Sequence, residues 1–230
     1  MKKVVVLSGS GISAESGIPT FRDSGGLWEG HDINEVATPQ AWQKNPKLVL
    51  DFYNQRRKAA MEAQPNAGHT SLVELEQYYD VVVITQNVDS LHEKAGSSRV
   101  SHLHGELCKS RSTLDEKLVY DIDGWELNWG DKCERGSQLR PHIVWFGEMV
   151  PMMEVAYREV SGADFFIVVG TSLQVYPAAG LLYDVSQGTP IYIVDPATPA
   201  YAENPDITPI RETASQGLPQ LVKQLIKEAQ

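Results

Sequence analysis

Short, continuous apolar runs recur along the chain at 4–7, 81–84, 143–148, 165–169 and 191–195, each bounded by polar or turn-forming residues. Runs of this length, rich in Val and Ile, predict strands buried on both faces of a parallel sheet. Helical patterns lie between them. Thr38 followed by Pro39 reads as an N-cap and a first-turn proline, and Asn45-Pro46 breaks that helix. A second helix is predicted over about 47–63, with Leu48, Phe52 and Met61 among its apolar positions, and others over 69–79 and 154–161. The last, 218–229, places Leu218, Leu221, Val222, Leu225 and Ile226 on one face.

Alternating strands and helices predict an α/β fold with a doubly wound, Rossmann-like parallel sheet. Residues 106–140 break the alternation, being polar and charged with Tyr120, Trp125 and Trp129 scattered through them. They read as part of a small inserted lobe. The expected organisation is one domain, 1–230, with its core drawn from about 1–30, 69–105 and 141–230. The lobe would be built from insertions at about 31–68 and 106–140.

The chain has 230 residues, 42% of them hydrophobic, which supports a substantial core. A net charge of −10 argues against binding nucleic acid through its phosphates. No apolar run is long enough to span a bilayer, and Met1-Lys2-Lys3 leads into a strand, so a soluble cytoplasmic protein is expected. Cys108 and Cys133 are too few for a disulfide framework.

The candidate chemistry starts at the end of the first strand. Gly9, Gly11 and Ala14 fit the G-x-G-x-x-G/A spacing. Gly9 would allow the tight turn, Gly11 the approach of a phosphate, and small Ala14 a helix packed close to the strand. Instead of a helix leading to a second strand and a ribose-binding acid, Gly17 to Gly26 read as a long loop. Dinucleotide binding is therefore expected, but not hydride transfer. Thr85-Gln86-Asn87-Val88-Asp89 and Gly170-Thr171-Ser172 each follow a strand, at the sheet edge where open α/β folds bind ligands. Of His102 and His104, the second precedes a glycine and is the better candidate base. Tyr53 and Arg56 share a helix face. On the residues alone, the pair reads as a solvated Arg beside a half-buried Tyr.

These motifs together resemble the sirtuins, the NAD-dependent protein lysine deacylases, over nearly the whole chain. Residues 9–22 match the family's glycine-rich loop, 85–92 its Thr-Gln-Asn-x-Asp-x-Leu-His motif, His104-Gly105 its catalytic pair, Phe146-Gly147-Glu148 its substrate segment and 170–172 its ribose-contacting turn. The resemblance implies NAD as cofactor and acylated protein lysines as substrates, with no nucleic-acid or membrane partner. It assigns His104 as general base, with Asn87 beside it. Gly9, Ser10, Gly11, Ala14, Phe21, Arg22, Trp28, Gln86, Asn87, Val88, Asp89, Gly170, Thr171, Ser172, Asp195 and Ala214 would bind the cofactor. Ala37, Tyr53, Arg56, Val144, Phe146, Gly147, Glu148 and Val175 would bind substrate, the segments around 144–148 and 173–176 pairing with its main chain. Tyr-x-x-Arg at Tyr53 and Arg56 resembles the sirtuin class that removes succinyl and malonyl groups, with small Ala37 leaving room for a longer acyl chain.

The chain departs from the family pattern twice. Sirtuins commonly carry two Cys-x-x-Cys pairs for structural zinc. Here Cys108 to Arg111 and Cys133 to Gly136 each retain only the first cysteine. No zinc is expected, with packing by Tyr120, Trp125 and Trp129 in its place. The second is Asp195, where many relatives have Asn near the adenosine ribose. A mono-ADP-ribosyltransferase and a non-catalytic NAD sensor are the competing readings.

Overall fold

The computed structural model describes residues 1–20, 30–197 and 206–230. In chain order its strands are β1 (Lys3–Ser8), β2 (Asp80–Thr85), β3 (Val100–His102), β4 (Gly105–Ser112), β5 (Val119–Asp121), β6 (Leu139–Ile143), β7 (Phe165–Val169), β8 (Ile191–Val194) and β9 (Ile207–Ile210). Its helices are α1 (Gly11–Ala14), α2 (Ile33–Val36), α3 (Pro39–Lys44), α4 (Pro46–Glu62), α5 (Ala67–Leu75), α6 (Leu91–Ala95), α7 (Met153–Ser161) and α8 (Ala214–Ala229).

Six strands form one sheet in the order β3-β2-β1-β7-β8-β9, and every pairing in it is parallel. The chain builds outward from β1 through β2 to β3, then returns to the other side of β1 with β7. That reversal makes β1 the topological switch point, and open α/β sheets bind ligands beyond the carboxyl ends of the strands there. Alternate residues feed two cores. Val4, Val6, Val81, Val83 and Ile167 pack with Leu72 and Leu75 of α5 and Leu218, Leu221, Val222 and Leu225 of α8. Val5, Leu7, Val82, Ile84, Phe166 and Val168 face α7 and a 3-10 helix, Ala178–Tyr183. Cover on both faces explains why these strands read as unbroken apolar runs.

A separate antiparallel sheet, β5-β4-β6, packs with α2, α3 and α4 around Val36, Val49, Phe52, Leu107, Ile143 and Trp145. Thr38 caps α3 by accepting from the Ala41 N–H at 3.0 Å. Asn45 ends α3 and caps α4 through Leu48 N–H at 3.2 Å.

Several expectations need correction. The run 143–148 is not one strand: β6 ends at Ile143 and the chain turns through 146–147. The N–H groups of Val144, Phe146 and Glu148 are donated internally, to His104, Ala37 and Trp145. Met61 is exposed, because the buried face of α4 instead includes Tyr53, Asn54, Arg56 and Arg57. Tyr120, Trp125 and Trp129 do not form the lobe's interior: Trp129 is 55% exposed, while Leu107, Leu127 and Cys133 are buried. Arg57, 1% exposed, fastens α4 to this sheet by donating to the carbonyls of Leu107 and of Trp125, the latter at 2.7 Å. Beside it Asn54 bonds both the N–H and the carbonyl of Leu127, at 2.9 and 3.1 Å. The residue facing Cys133 is Ser112, with Sγ and Oγ 3.4 Å apart, whereas Cys108 is exposed near Glu106. Arg111 is engaged with Glu148 at 3.2 Å. Among the described residues, no helix is long and apolar enough to cross a membrane.

Candidate functional site

The carboxyl ends of β1, β2 and β7 open into a cleft of about 500 Å³ that continues down to α4. The loops after β1 and β7 meet backbone to backbone. Gly9 N–H donates to the Val169 carbonyl at 3.0 Å and Gly11 N–H to that of Gly170 at 2.8 Å. Gly170 has a φ of +60°, and a Cβ there would lie 2.3 Å from the nitrogen of Ile12. A side chain on Gly9 or Gly11 would collide with Thr171 or Gly170 in turn. The glycines therefore serve loop-to-loop packing. α1 is a single turn, and Ala14 is exposed rather than packed on a strand, so its assignment to the cofactor is not supported by position.

The segment after β2 supplies the second wall. Asn87, only 6% exposed, donates from its side chain to Ser13 Oγ at 3.0 Å, which donates to Asp89 Oδ2 at 3.1 Å. Asp89 Oδ1 accepts from the Leu91 N–H at 3.0 Å. Burial pushes the Asp89 carboxyl pKa up, opposed by those bonds and by the nearby His102. Gln86 reaches across to Thr171 Oγ1 at 3.1 Å and ties the two walls together.

His104 lies where β3 turns into β4. The turn needs Gly105, whose φ is +83° and whose Cβ would fall 2.0 Å from the His142 carbonyl oxygen. His104 Nδ1 is 3.0 Å from the Gln86 carbonyl, an acceptor only, so Nδ1 carries the proton and Nε2 is left with its lone pair. Burial lowers the pKa of the ring, which keeps it neutral and able to accept a proton near neutral pH.

The floor of the cleft is formed by Ala37, Tyr53, Arg56, Leu107, Ile143 and Trp145. Tyr53 is fully buried and Arg56 is 9% exposed, so the reading of a solvated arginine fails. Burial raises the Tyr53 pKa and keeps its hydroxyl protonated as a donor. Glu148 also borders the cleft, but its carboxylate is engaged. It accepts from Arg140 at 2.7 and 3.1 Å, from Arg111 at 3.2 Å and from the Trp145 N–H at 2.8 Å. Burial opposes its charge, yet these partners hold its pKa below the usual range. Its place is to brace the turn that carries Phe146 and Gly147.

Ser10, Val88, Ser172, Val144, Val175 and Asp195 line the same cleft. One Asp195 oxygen accepts from the Ala197 N–H at 2.8 Å. Ala214 instead lies in the core with Ile12 and Leu218 and does not line the cleft. Phe21, Arg22 and Trp28 lie outside the described residues. Sequence reasoning missed Ser13, the link between Asn87 and Asp89, which carries no local signal. It also missed Trp145 and Leu107, whose apolar character read as ordinary core.

The Sir2 family model matches residues 9–177. An NAD-dependent protein deacylase of Helicobacter pylori (strain ATCC 700392 / 26695) is 54% identical over 231 residues, covering 100% of both chains. One from Bacteroides thetaiotaomicron is 51% identical, covering 98% of this chain and 99% of that one. Among solved structures, a Sir2 homologue in complex with NAD superimposes with a TM-score of 0.90 at 41% identity, covering 100% of this chain and 91% of that one. A Sir2 protein with a deacetylated p53 peptide and 3′-O-acetyl ADP-ribose gives 0.80 at 29% identity, covering 98% and 92%.

Proposed function

Because the chain belongs to the Sir2 family, we propose that it is an NAD-dependent protein lysine deacylase that prefers succinyl and malonyl groups over acetyl. The observation that carries the acyl preference is the continuity of one cleft from the glycine loops to Tyr53 and Arg56. A carboxylate entering that floor needs compensation in a dry environment. A guanidinium can pair with it through two N–H groups, and a protonated Tyr hydroxyl can donate another bond.

The residues fit a dinucleotide. Gly9, Gly11 and Gly170 let their two loops pack against each other at the mouth of a cleft rimmed by Ser10, Thr171, Ser172 and Asp195. These would hold the phosphates and the adenosine ribose, and Asn87 and Asp89 the nicotinamide end. When bound, NAD supplies an ADP-ribosyl acceptor for the acyl group and nicotinamide as leaving group. The overall balance is acyl-lysine, NAD and water to lysine, nicotinamide and O-acyl-ADP-ribose. His104 Nε2 would take the proton of a ribose hydroxyl. The turn at 146–148, braced by Glu148, and the 173–176 segment would flank the substrate backbone, with the carbonyl groups of the first as acceptors.

The residues do not fit structural zinc. Ser112 faces Cys133, and the Arg111 guanidinium stands beside it in sequence, engaged with Glu148. In this reading the lobe, built from 31–68 and 106–140 within one domain, is fastened by Arg57, Asn54 and the Arg111–Glu148–Arg140 cluster. Incubation with a succinylated peptide and NAD, followed by mass spectrometry, tests the assignment. Nicotinamide and O-succinyl-ADP-ribose in equal amounts are expected. An ADP-ribosyl mark on the peptide, or NAD binding without turnover, would replace it with one of the two competing readings.

A further inference from the structure

A second histidine braces the site from behind, and the chemistry above makes no use of it. His102 ends β3 with a side chain only 7% exposed. Its Nδ1 lies 2.8 Å from the backbone carbonyl oxygen of Asn87, and its Nε2 lies 2.7 Å from a carboxylate oxygen of Glu93 on α6. Carbonyl and carboxylate oxygens only accept, so each ring nitrogen must donate. A neutral imidazole has one N–H; only the imidazolium satisfies both contacts.

The surroundings favour that charge. Besides Glu93, His102 interacts with Glu106 of β4, itself paired with Lys109 at 3.0 Å, and with Asp89 of the adjoining loop. The nearby His92 of α6 is buried and held neutral, since burial and its histidine neighbours lower its pKa. Burial opposes the charge on His102, but the Glu93 hydrogen bond and the acidic neighbours outweigh it and raise the pKa. His102 and His104 thus grip successive carbonyls, of Asn87 and Gln86, in opposite protonation states.

We propose that His102 is a positioning residue: as an imidazolium clamped by Glu93, it holds the Asn87 carbonyl and so keeps Asn87, Ser13 and Asp89 aligned in the cleft. Asn87 is fixed at three points, its N–H on Thr85 Oγ1 at 3.0 Å, its side chain on Ser13 and its carbonyl on His102. A neutral ring has one N–H for two acceptors, and the carboxylate, the stronger of them, keeps it on Nε2, so the Nδ1 lone pair then faces the Asn87 carbonyl; loss of this third contact lets the peptide after Asn87 rotate and breaks the register of Asp89. This role rests on the proposed NAD-dependent activity of the same cleft.

The test uses the full chain and Glu93→Gln, whose amide removes the charge and can donate to Nε2 as well as accept from it. Glu93 is outside the cleft lining and its side chain is 41% exposed. The kcat–pH profile on an acylated peptide at saturating NAD should fall on the alkaline side in the wild type, and that fall should be lost in the variant, where the neutral ring can keep its proton on Nδ1 against the Asn87 carbonyl. The acid limb and the peptide KM should not move. An unshifted alkaline limb would overturn the proposal. In parallel, nitrogen-15 NMR of the wild-type histidine rings should show both His102 nitrogens protonated at pH 7, and a singly protonated ring would also overturn it. Absence of turnover by the wild type would instead sink the deacylase reading, and the positioning role with it. The NMR result would still decide the charge of the clamp.

Discussion

Arg56→Met separates the acyl preference from the rest of the chemistry. Methionine keeps much of the aliphatic volume on α4, where Arg56 packs 5.6 Å from the Phe52 ring, and removes the guanidinium with its charge and N–H groups. With Tyr53 at 0% and Arg56 at 9% exposure, a succinyl carboxylate at this floor would be shielded from water on the protein side. An unpaired buried charge costs about 3–5 kcal/mol. At about 1.4 kcal/mol per tenfold, the loss in kcat/KM on a succinyl peptide is roughly two to three and a half orders of magnitude. An acetyl peptide of the same sequence presents no carboxylate, so its rate should stay within about threefold of wild type, the scale of a surface-like change. Tyr53→Phe removes one donor to a charged group and should cost about 1.5–3 kcal/mol on succinyl alone. The assay is initial-rate kinetics on the matched peptides at saturating NAD, with products followed by mass. A loss of equal size on both peptides would refute the acidic-acyl pocket.

His104→Ala should lower deacylation about 10²–10⁴-fold while calorimetry still finds NAD bound, and wild-type turnover would refute the base. Because burial lowers the His104 pKa and the base works neutral, the acid limb of kcat/KM should fall below the pH at which an exposed histidine titrates; a limb above it would contradict the assignment. His69 is fully buried and its pKa drops from 6.5 to about 4, so the unfolded chain binds a proton that the folded one refuses. Stability should be intact above pH 6.5 and decline toward pH 4 by about 3 kcal/mol, and urea titrations should show a shallower decline in His69→Gln. An equal decline in both would refute this linkage. Protein purified without chelator should carry well below one zinc per chain by elemental analysis, and one per chain would overturn the reading of the lobe.

The sheet was legible because burial on both faces leaves short unbroken apolar runs such as 165–169, whose length and β-branched residues favour a strand. The glycine loop, 85–89 and His104 come together at one cleft because they follow the ends of the sheet's strands, where an open α/β sheet gathers its loops. β9 escaped because Ile207–Ile210 is an edge strand with exposed residues and a proline, Pro209. The lobe was misread for a related reason. Its attachment depends on polar groups, Asn54 and Arg57 bonding distant carbonyls, and sequence spacing cannot show which of several helix-face arginines is buried. Arg56 and Arg57 both turned out buried, in different directions of use. The part played by His102 is not legible in the sequence, since its partners are a backbone carbonyl and a carboxylate nine residues away, visible only once β3 and α6 are folded together.

The most direct measurement is the turnover of matched succinyl-lysine and acetyl-lysine peptides by the wild-type protein, with and without NAD. Strictly NAD-dependent release of succinyl, much faster than acetyl, is expected, with O-acyl-ADP-ribose formed in step with free lysine. Turnover that does not need NAD, or NAD bound with neither peptide consumed, would contradict it.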